Sequence, residues 1–190
     1  MNIIEIFTES LSLIFSFDKD LWEIILLSLY VSLVALIFAS IFGLLIGYYL
    51  ALRNFFFKNF ILIILNSLMG IPPVVVGLIV YFMFASGGPL GVLQLLYTPA
   101  AMIIAQVIII FPIVTSISHE IFDQNFREYK DQLRSINMPF FGVAFIITKH
   151  SYFLVITALL SAFGRAISEV GAVMIVGGNI NHFTRVMTTA

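Results

Sequence analysis

The chain has 190 residues, of which 61% are hydrophobic and only 10% are charged, and its mean hydropathy is +1.11. Soluble domains are usually about 25% charged, so this composition excludes an ordinary soluble domain and indicates an integral membrane protein. The net charge of −1 argues against nucleic-acid binding, and the absence of cysteine excludes disulfides and thiolate metal sites.

The first segment, MNIIEIFTESLSLIFSF, contains Glu5 and Glu9 but no lysine or arginine. It therefore lacks the positive region of a cleavable signal peptide. Its apolar residues recur at roughly helical spacing. We expect residues 1–20 to form an amphipathic helix that lies at the membrane interface or packs on the rest of the bundle.

Four longer apolar segments are predicted to cross the membrane, at residues of about 22–52, 59–85, 95–118 and 152–176. At the start of the first, Asp20 is a plausible helix cap and Trp22 lies where an interfacial aromatic residue belongs. Gly43 and Gly47 have the spacing that lets a neighbouring helix backbone approach closely. The predicted fold class is all-α, a polytopic helical membrane protein in which residues 1–190 form one transmembrane domain.

A pair of prolines, Pro72 and Pro73, interrupts the second predicted span in the stretch MGIPPVVVGL. Proline removes a backbone donor and bends a helix, and the freed carbonyl groups need partners from neighbouring helices or water. The pair is either a packing kink or a break in a helix that lines a pathway. The stretch SGGPLG at residues 86–91 predicts the turn into the third span.

Basic residues predict the orientation of the chain. Arg53 and Lys58 lie between the first two spans, and four more basic residues, Arg127, Lys130, Arg134 and Lys149, lie between the third and fourth. The connection between the second and third spans has none. Cytoplasmic connections carry the excess of Lys and Arg, so residues 53–58 and 119–150 are expected in the cytoplasm and the N-terminus outside.

Residues 119–150 form the main polar segment, with four basic and four acidic residues. The stretch EYKDQLRSINMPFFGVAF within it predicts a short helix, a turn around residues 137–139 and a second helix. The segment is either a solvated connector or, because it carries Phe140, Phe141 and Phe145 beside charges, a docking surface for a partner.

The stretch GRAISEVGAVMIVGGNI, residues 164–180, places Arg165 and Glu169 among apolar and small residues. A lone charge at mid-membrane costs at least roughly 2.5 kcal/mol, and residues four apart on one helix face can form a pair. The pair is either a buried structural one or, with Ser168, flanks a polar pathway. The many small residues around it favour tight helix packing, at a subunit interface for instance.

Catalytic motifs are missing from the sequence. There is no HExxH or Walker A pattern, and His119, His150 and His182 are scattered along the chain. We expect no cofactor, no metal site and no enzymatic activity. Any work driven by ATP must then be powered by another chain.

Three stretches resemble the permease subunits of ABC-type importers, in particular the molybdate/tungstate oxyanion branch. GIPPVVVGLIVYF with the following GGPLG resembles a span and turn of those permeases. AFGRAISEVGAVMIVGGNI followed by TRVMTTA is most similar to the tungstate permeases. The resemblance extends over about residues 21–190. It implies a type I importer permease bundle with a further C-terminal helix, in keeping with the expectation that HFTRVMTTA leads into another span.

The family's EAA motif consists of EAA, three residues, Gly and a later Leu-Pro, and this chain departs from it. The best register places Asp131, Gln132 and Leu133 at the EAA positions, Ile136 at the preceding hydrophobic position and Asn137 at the glycine. Lys149 and His150 then stand at the Leu-Pro, and a register starting at Glu128 is the alternative. By this resemblance the ATPase-coupling residues are Asp131, Gln132, Leu133, Ile136, Asn137 and Met138.

The resemblance also implies the partners and the location of the protein. They are a cytoplasmic ABC ATPase dimer, a second permease copy, an extracytoplasmic oxyanion-binding protein and the lipid bilayer of a prokaryotic inner membrane. Candidate pathway or gate residues are Pro72, Pro73, Arg165, Ser168 and Glu169. Two other hypotheses remain. An ion-coupled secondary transporter or channel would act without an ATPase, and a membrane anchor would need neither the prolines nor the buried pair.

Overall fold

The computed structural model describes residues 18–190, apart from the side chains of Arg134, Phe140 and Phe141. Within this range the elements are six α-helices and one short 3-10 turn, which confirms the predicted all-α class. The helices are α1 (Lys19–Leu52), α2 (Lys58–Met69), α3 (Pro73–Phe84), α4 (Pro99–Ser135), α5 (Phe140–Ile167) and α6 (Gly171–Gly177). The helix predicted for residues 1–20 falls almost wholly outside the described range.

Helix α1 is capped by Asp18 and not, as predicted, by Asp20. The Asp18 carboxylate accepts a hydrogen bond from the Leu21 amide at 3.0 Å, which satisfies one of the donors left free at the helix start. Asp20 lies in the first turn, where the helix dipole still stabilises its negative charge.

Helices α1 and α4 pack side by side and run in the same direction. Gly43 lies against Val114, and further along both helices the rings of Tyr48 and Phe122 meet with their centroids 5.4 Å apart. Beside them, a Cβ atom on Gly47 would come within 2.8 Å of a main-chain oxygen of α4. This confirms the predicted close approach of a helix backbone at Gly47, whereas Gly43 meets side chains of α4.

The parallel arrangement of α1 and α4 requires the chain to cross the bundle once between them, and α2 and α3 make that crossing. Each has 12 residues, about 18 Å of helix, and they meet at an angle of 99°. They therefore form one broken span and not a loop that returns to the side it entered from. Of the two alternatives left open for the prolines in the span predicted for residues 59–85, the structure shows the break, because Pro72 and Pro73 end one helix and start another.

Helix α4 extends well beyond the predicted third span of residues 95–118. It has 37 residues, about 55 Å, whereas the hydrocarbon core of a bilayer is about 30 Å thick. No glycine or proline occurs between Pro112 and Pro139, so nothing in the sequence ends the helix where the charged residues begin. The predicted boundary at residue 118 marked the change in polarity and not the end of the helix.

Helix α5 turns back along α4 after residues 136–139. The rings of Tyr129 and His150 lie 4.9 Å apart across the two helices. A small core holds them together, formed by Ala51, Phe122, Leu133 and Ile147. Residues 119–150, called the polar hairpin below, are therefore the projecting ends of two membrane helices. The predicted turn between two helices is found here, but the first helix is the end of the 37-residue α4 and not a short separate helix.

The fourth predicted span is also broken. Helix α5 ends at Ile167 and α6 begins at Gly171, so residues 152–176 are not one continuous helix. Within residues 18–190, three helices are long and apolar enough to cross a membrane: α1, α4 up to Leu133, and α5 from Gly142. With α2 and α3 counted as one broken span, the number of candidate spans is four.

The Gly47→Ala substitution should destabilise the protein. Its Cβ would come within 2.8 Å of the Thr115 carbonyl oxygen, which is main chain and moves only with α4. We expect a loss of about 1–3 kcal/mol, measured as a lower midpoint of thermal unfolding in detergent. Gly87→Ala is the matched control, because nothing lies within 4 Å of its Cβ position. Equal midpoints for the two variants would contradict the packing described here.

Candidate functional site

The first helix break comprises residues 70–72, between α2 and α3. The Gly70 and Ile71 amides donate to carbonyl oxygens of the last turn of α2, which closes that helix. Pro72 then takes an extended conformation and Pro73 is the first residue of α3. Proline suits this position because the first amides of a helix have no partner within it. The local sequence thus specifies both the end of α2 and the start of α3.

The second break comprises residues 168–170, between α5 and α6. Three carbonyl groups at the end of α5, those of Gly164, Arg165 and Ala166, find donors nearby. The Ser168 amide donates to Gly164 at 3.1 Å, and the Ser168 hydroxyl donates to the Arg165 carbonyl at 3.1 Å. The side-chain amide of Gln106 on α4 donates to the Ala166 carbonyl at 3.0 Å. The Ala166 carbonyl also accepts from the Glu169 amide at 3.3 Å, so Gln106 adds a second donor from another helix.

Arg165 and Glu169 form an ion pair across this break, with Arg165 Nη1 2.8 Å from Glu169 Oε2. The predicted pairing is confirmed, but Glu169 lies beyond the end of α5 and not on the same helix. Its second oxygen accepts the Ala172 amide at 3.1 Å and so caps α6. The cation thus lies at a helix C-terminus and the anion at a helix N-terminus, where the helix dipoles favour each charge.

The two breaks lie next to each other in the bundle. Arg165 lines a small cavity together with Met69 and Ile71 of the first break. Helix α3 packs on α6, and a Cβ atom on Gly77 would come within 2.8 Å of the Ala172 Cα. The structure therefore brings together the prolines and the charged pair, which the sequence places about 90 positions apart.

A second, polar cavity lies behind the charged pair. It is lined by Ser28 and Ser32 of α1, Gln106 of α4, Glu169 and Thr188, and has a volume of about 10 Å³, about the space of one water molecule. The Thr188 hydroxyl donates to the Glu169 carbonyl at 3.1 Å. The role of Gln106 was not predicted, although an uncharged polar residue in an apolar span was the available signal.

The candidate coupling residues lie around the turn of the polar hairpin. Four of them, Asp131, Gln132, Ile136 and Asn137, are exposed, whereas Leu133 is buried in the core of the hairpin. Met138 is half-buried, and its side chain packs beside Gly142. Leu133 therefore holds the two helices together and presents no surface to a partner. Asn137 has a φ of 48°, a left-handed conformation that Gly and Asn adopt most readily.

An exposed stripe of small and polar residues runs along α5. It consists of Thr157, Ser161, Gly164 and Ser168, spaced three or four residues apart on one helix face. The hydroxyls of the first two donate to carbonyl oxygens one turn back, at 3.0 and 2.9 Å. In the most apolar 18-residue stretch of α5 only 17% is buried, against 44% in the corresponding stretch of α4. Helix α5 therefore lies at the edge of this chain.

A further contact joins the start of α1 to the segment after α6. Nδ1 of His182 lies 3.1 Å from Oε2 of Glu23, and Asp20 lies close by. All three side chains are exposed. The sequence separates His182 from the two acids by about 160 positions, so its pattern gave no sign of this cluster. The contact holds the segment after α6 against α1.

Replacing Glu169 should separate its two roles. Glu169 is 5% exposed and Arg165 38%, so the pair is less costly to break than a fully buried one, for which the loss is about 3–5 kcal/mol. We expect Glu169→Gln to lower the stability by about 1–3 kcal/mol, and Glu169→Ala by about 1 kcal/mol more, because only alanine also removes the cap of α6.

Thermal unfolding of the detergent-solubilised protein measures both variants of Glu169. Glu120→Gln is the matched control, since Glu120 is exposed and makes no ion pair or hydrogen bond within the described residues. If Glu169→Gln unfolds at the same temperature as the wild type and Glu120→Gln, the pair does not hold the break together.

Comparison with known proteins identifies the family. Residues 39–190 match the family described as binding-protein-dependent transport system inner membrane component. A tungstate uptake system permease protein of Peptoclostridium acidaminophilum is 38% identical over 188 residues, which cover 99% of this chain and 82% of that protein. A probable anion ABC transporter permease protein of Haloferax volcanii is 39% identical over 168 residues, 86% of this chain and 72% of that protein.

A tungstate uptake system permease protein of Campylobacter jejuni is also similar, with 32% identity over 184 residues, 97% of this chain and 77% of that protein. The family match covers most of the chain, including both helix breaks and the polar hairpin. The chain therefore belongs to the family of inner membrane components of binding-protein-dependent transport systems, and it is a multi-pass ABC permease subunit and not itself an enzyme.

Proposed function

We propose that this permease carries an oxyanion into the cell, with tungstate as the favoured cargo and molybdate as the next. The similarity to tungstate uptake permeases over nearly the whole chain is the observation that carries the proposal. A separate ATPase dimer powers the importer, and an extracytoplasmic binding protein delivers the anion. The permease contributes the pathway and its conformational change, and no bond of the cargo is made or broken.

The polar hairpin is proposed to lie in the cytoplasm and the N-terminus outside. Lys58 Nζ lies 3.5 Å from Asp123 Oδ1, so the connector between α1 and α2 and the polar hairpin occupy the same side of the bundle. Most of the basic residues of the chain belong to these two segments. A concentration of Lys and Arg on one side is typical of the cytoplasmic face.

The turn of the polar hairpin is proposed as the surface that docks on the ATPase. From His119 to Ser135, α4 extends for 17 residues, about 25 Å, which takes the turn well away from the bilayer. The turn presents Asp131, Gln132, Ile136 and Asn137. An exposed isoleucine beside polar groups is the composition of a protein contact.

The conformation of Asn137 supports the register of the EAA motif that starts at Asp131. In that register Asn137 stands at the family's glycine position, and its φ of 48° is one that glycine adopts without strain. The alternative register from Glu128 would place the glycine position at Arg134, which is inside α4. A helical position does not require glycine.

The pair of Arg165 and Glu169 is proposed to be mainly structural. Both oxygens of Glu169 are used within the chain, one by Arg165 and one by the Ala172 amide. Arg165 is the more exposed partner and lies at the junction of the two breaks. ATP binding to the partner would shift the population between outward- and inward-facing states, with the breaks as joints between rigid helices.

The exposed stripe of α5 is proposed to face a second permease copy and the pathway between the two. Thr157, Ser161, Gly164 and Ser168 leave a shallow, polar surface on a helix that contacts the rest of the chain on one side only. Small residues allow close helix packing, and polar residues in a membrane face protein or water-filled cavities. The three hydroxyls already donate to carbonyl groups of their own helix, so the small size of these residues, and not an unpaired donor, supports the contact with a second copy.

The Ile136→Asp substitution should abolish ATPase docking while the permease still inserts. Ile136 is 62% exposed and lies at the turn, so its replacement changes the docking surface and leaves the core of the hairpin intact. We expect co-purification with the ATPase, and uptake of tungstate into vesicles that contain the whole importer, to fall at least about tenfold, as for loss of a central apolar contact.

Val92→Asp is the control for this experiment, because Val92 is 93% exposed and lies in the 3-10 turn before α4, on the opposite side of the bundle. It should keep the ATPase, because the polar hairpin is unchanged. Excess molybdate and sulfate, added separately, test the choice of cargo. Tungstate uptake that persists without any ATPase would contradict the proposal and favour a secondary transporter or channel.

Ser161→Cys should show whether the exposed stripe of α5 faces a second copy or the pathway. The natural chain has no cysteine, so a single introduced thiol reports one position. We expect oxidation to join two copies through residue 161, or a polar thiol reagent to modify it in the assembled importer. Leu160→Cys, one residue away but on the neighbouring exposed apolar face, should do neither. Equal behaviour of the two variants would exclude the proposed face.

A further inference from the structure

A basic pocket lies where the polar hairpin meets the connector between α1 and α2. It has a volume of about 310 Å³. Its lining comes from the end of α1, the connector, the start of α2 and the middle of α4: Ala51, Leu52, Asn54, Lys58, Asp123, Phe126, Arg127 and Lys130. None of these residues is among the coupling or pathway candidates.

The charges in this pocket do not cancel. Asp123 binds Arg127 Nε at 2.8 Å and Lys58 Nζ at 3.5 Å, and the side chains of Asp123 and Lys58 are only 17% and 12% exposed. Lys130 makes no ion pair or hydrogen bond within the described residues and is half-buried. Three cations around one carboxylate leave the pocket with a net charge of +2. An anion inside it would complete the pairing.

Exposed aromatic rings stand beside the pocket. Phe56 and Phe57 of the connector are both exposed and contact each other edge to face, with ring centroids 5.0 Å apart. Phe60, one turn into α2, is exposed as well. Phenylalanine rings have no polar group to hydrate, so when they are exposed on the outer surface of a membrane protein they face acyl chains, whereas the charged pocket beside them faces water. The pocket therefore opens at the boundary between the acyl chains and the water.

We propose that this pocket binds the phosphate of an anionic phospholipid, with the acyl chains lying against the rings of the connector. A basic pocket between membrane helices on the cytoplasmic side is suited to such a headgroup. A free phosphate has the same anionic chemistry but no use for the exposed rings, so the lipid is favoured. The leaflet follows from the proposed orientation, whereas the binding itself does not depend on the function of the importer.

The test is native mass spectrometry of the purified permease complex, titrated with phosphatidylglycerol, with phosphatidylcholine and, separately, with inorganic phosphate. The wild type should bind phosphatidylglycerol in preference to the other two. Lys130→Gln should weaken that binding about fivefold, because each basic residue near a membrane surface contributes about 1 kcal/mol to attraction for anionic lipid. Lys130 is suitable since its loss leaves the pair between Asp123 and Arg127 intact.

Lys149→Gln is the matched control, because Lys149 is an exposed lysine on the same side of the bundle but outside the pocket. Its lipid binding should equal that of the wild type. The proposal is overturned if the two variants lose phosphatidylglycerol equally, if phosphatidylcholine binds as well, or if inorganic phosphate competes at similar concentration. It is also overturned if Lys130→Gln releases the ATPase and leaves lipid binding unchanged, since the pocket would then belong to a protein contact.

Discussion

The structure depends on one constraint, which is that a helix interrupted inside a membrane must satisfy its freed backbone groups without water. Each break in this chain solves the problem locally. The first uses proline, which has no amide to satisfy, and the turn of Gly70 and Ile71. The second uses Ser168, Glu169 and the distant Gln106. Because unsatisfied groups cost several kcal/mol each in hydrocarbon, these contacts are conditions for having breaks at all.

Close packing of backbones is the second requirement, since the breaks must lie among other helices and away from lipid. Glycines provide it at two places, Gly43 and Gly47 against α4, and Gly77 and Gly171 between α3 and α6. The result is a bundle in which α4 touches both breaks while α5 stays at the edge. The centre is thus rigid where the irregular backbone needs support, and one face is left for another subunit.

Composition and spacing were sufficient to predict the helical membrane class, the turn of the polar hairpin and the pairing of Arg165 with Glu169. They did not predict the ends of the helices. A change from apolar to charged residues at His119 looked like a boundary, yet a helix ends only where its backbone is interrupted, and α4 continues to Ser135. The reverse error occurred at residues 168–170, where no proline marks the break and apolar and small residues resume directly after Glu169.

The candidate site was predicted in parts but not as a whole. The prolines and the charged pair stood out in the sequence because each violates the rules of an apolar span. Their proximity could not be predicted, since it results from the parallel packing of α1 and α4 and the crossing that this packing imposes. Gln106 is a similar case, because its position in the sequence does not indicate that its side-chain amide donates to the Ala166 carbonyl.

The length of α4 has a mechanical consequence. Gln106 holds the second break near one end of the helix, and Ser135 lies 29 residues further on, about 43 Å away. Pro112 lies within this stretch and removes one backbone hydrogen bond, but the helix continues through it to Ser135 and acts as a lever arm. A tilt of roughly 10° about Gln106 displaces the far end by about 7 Å while the atoms at the fulcrum scarcely move. Large displacements at the turn of the polar hairpin are therefore coupled to small displacements, with larger forces, at the second helix break.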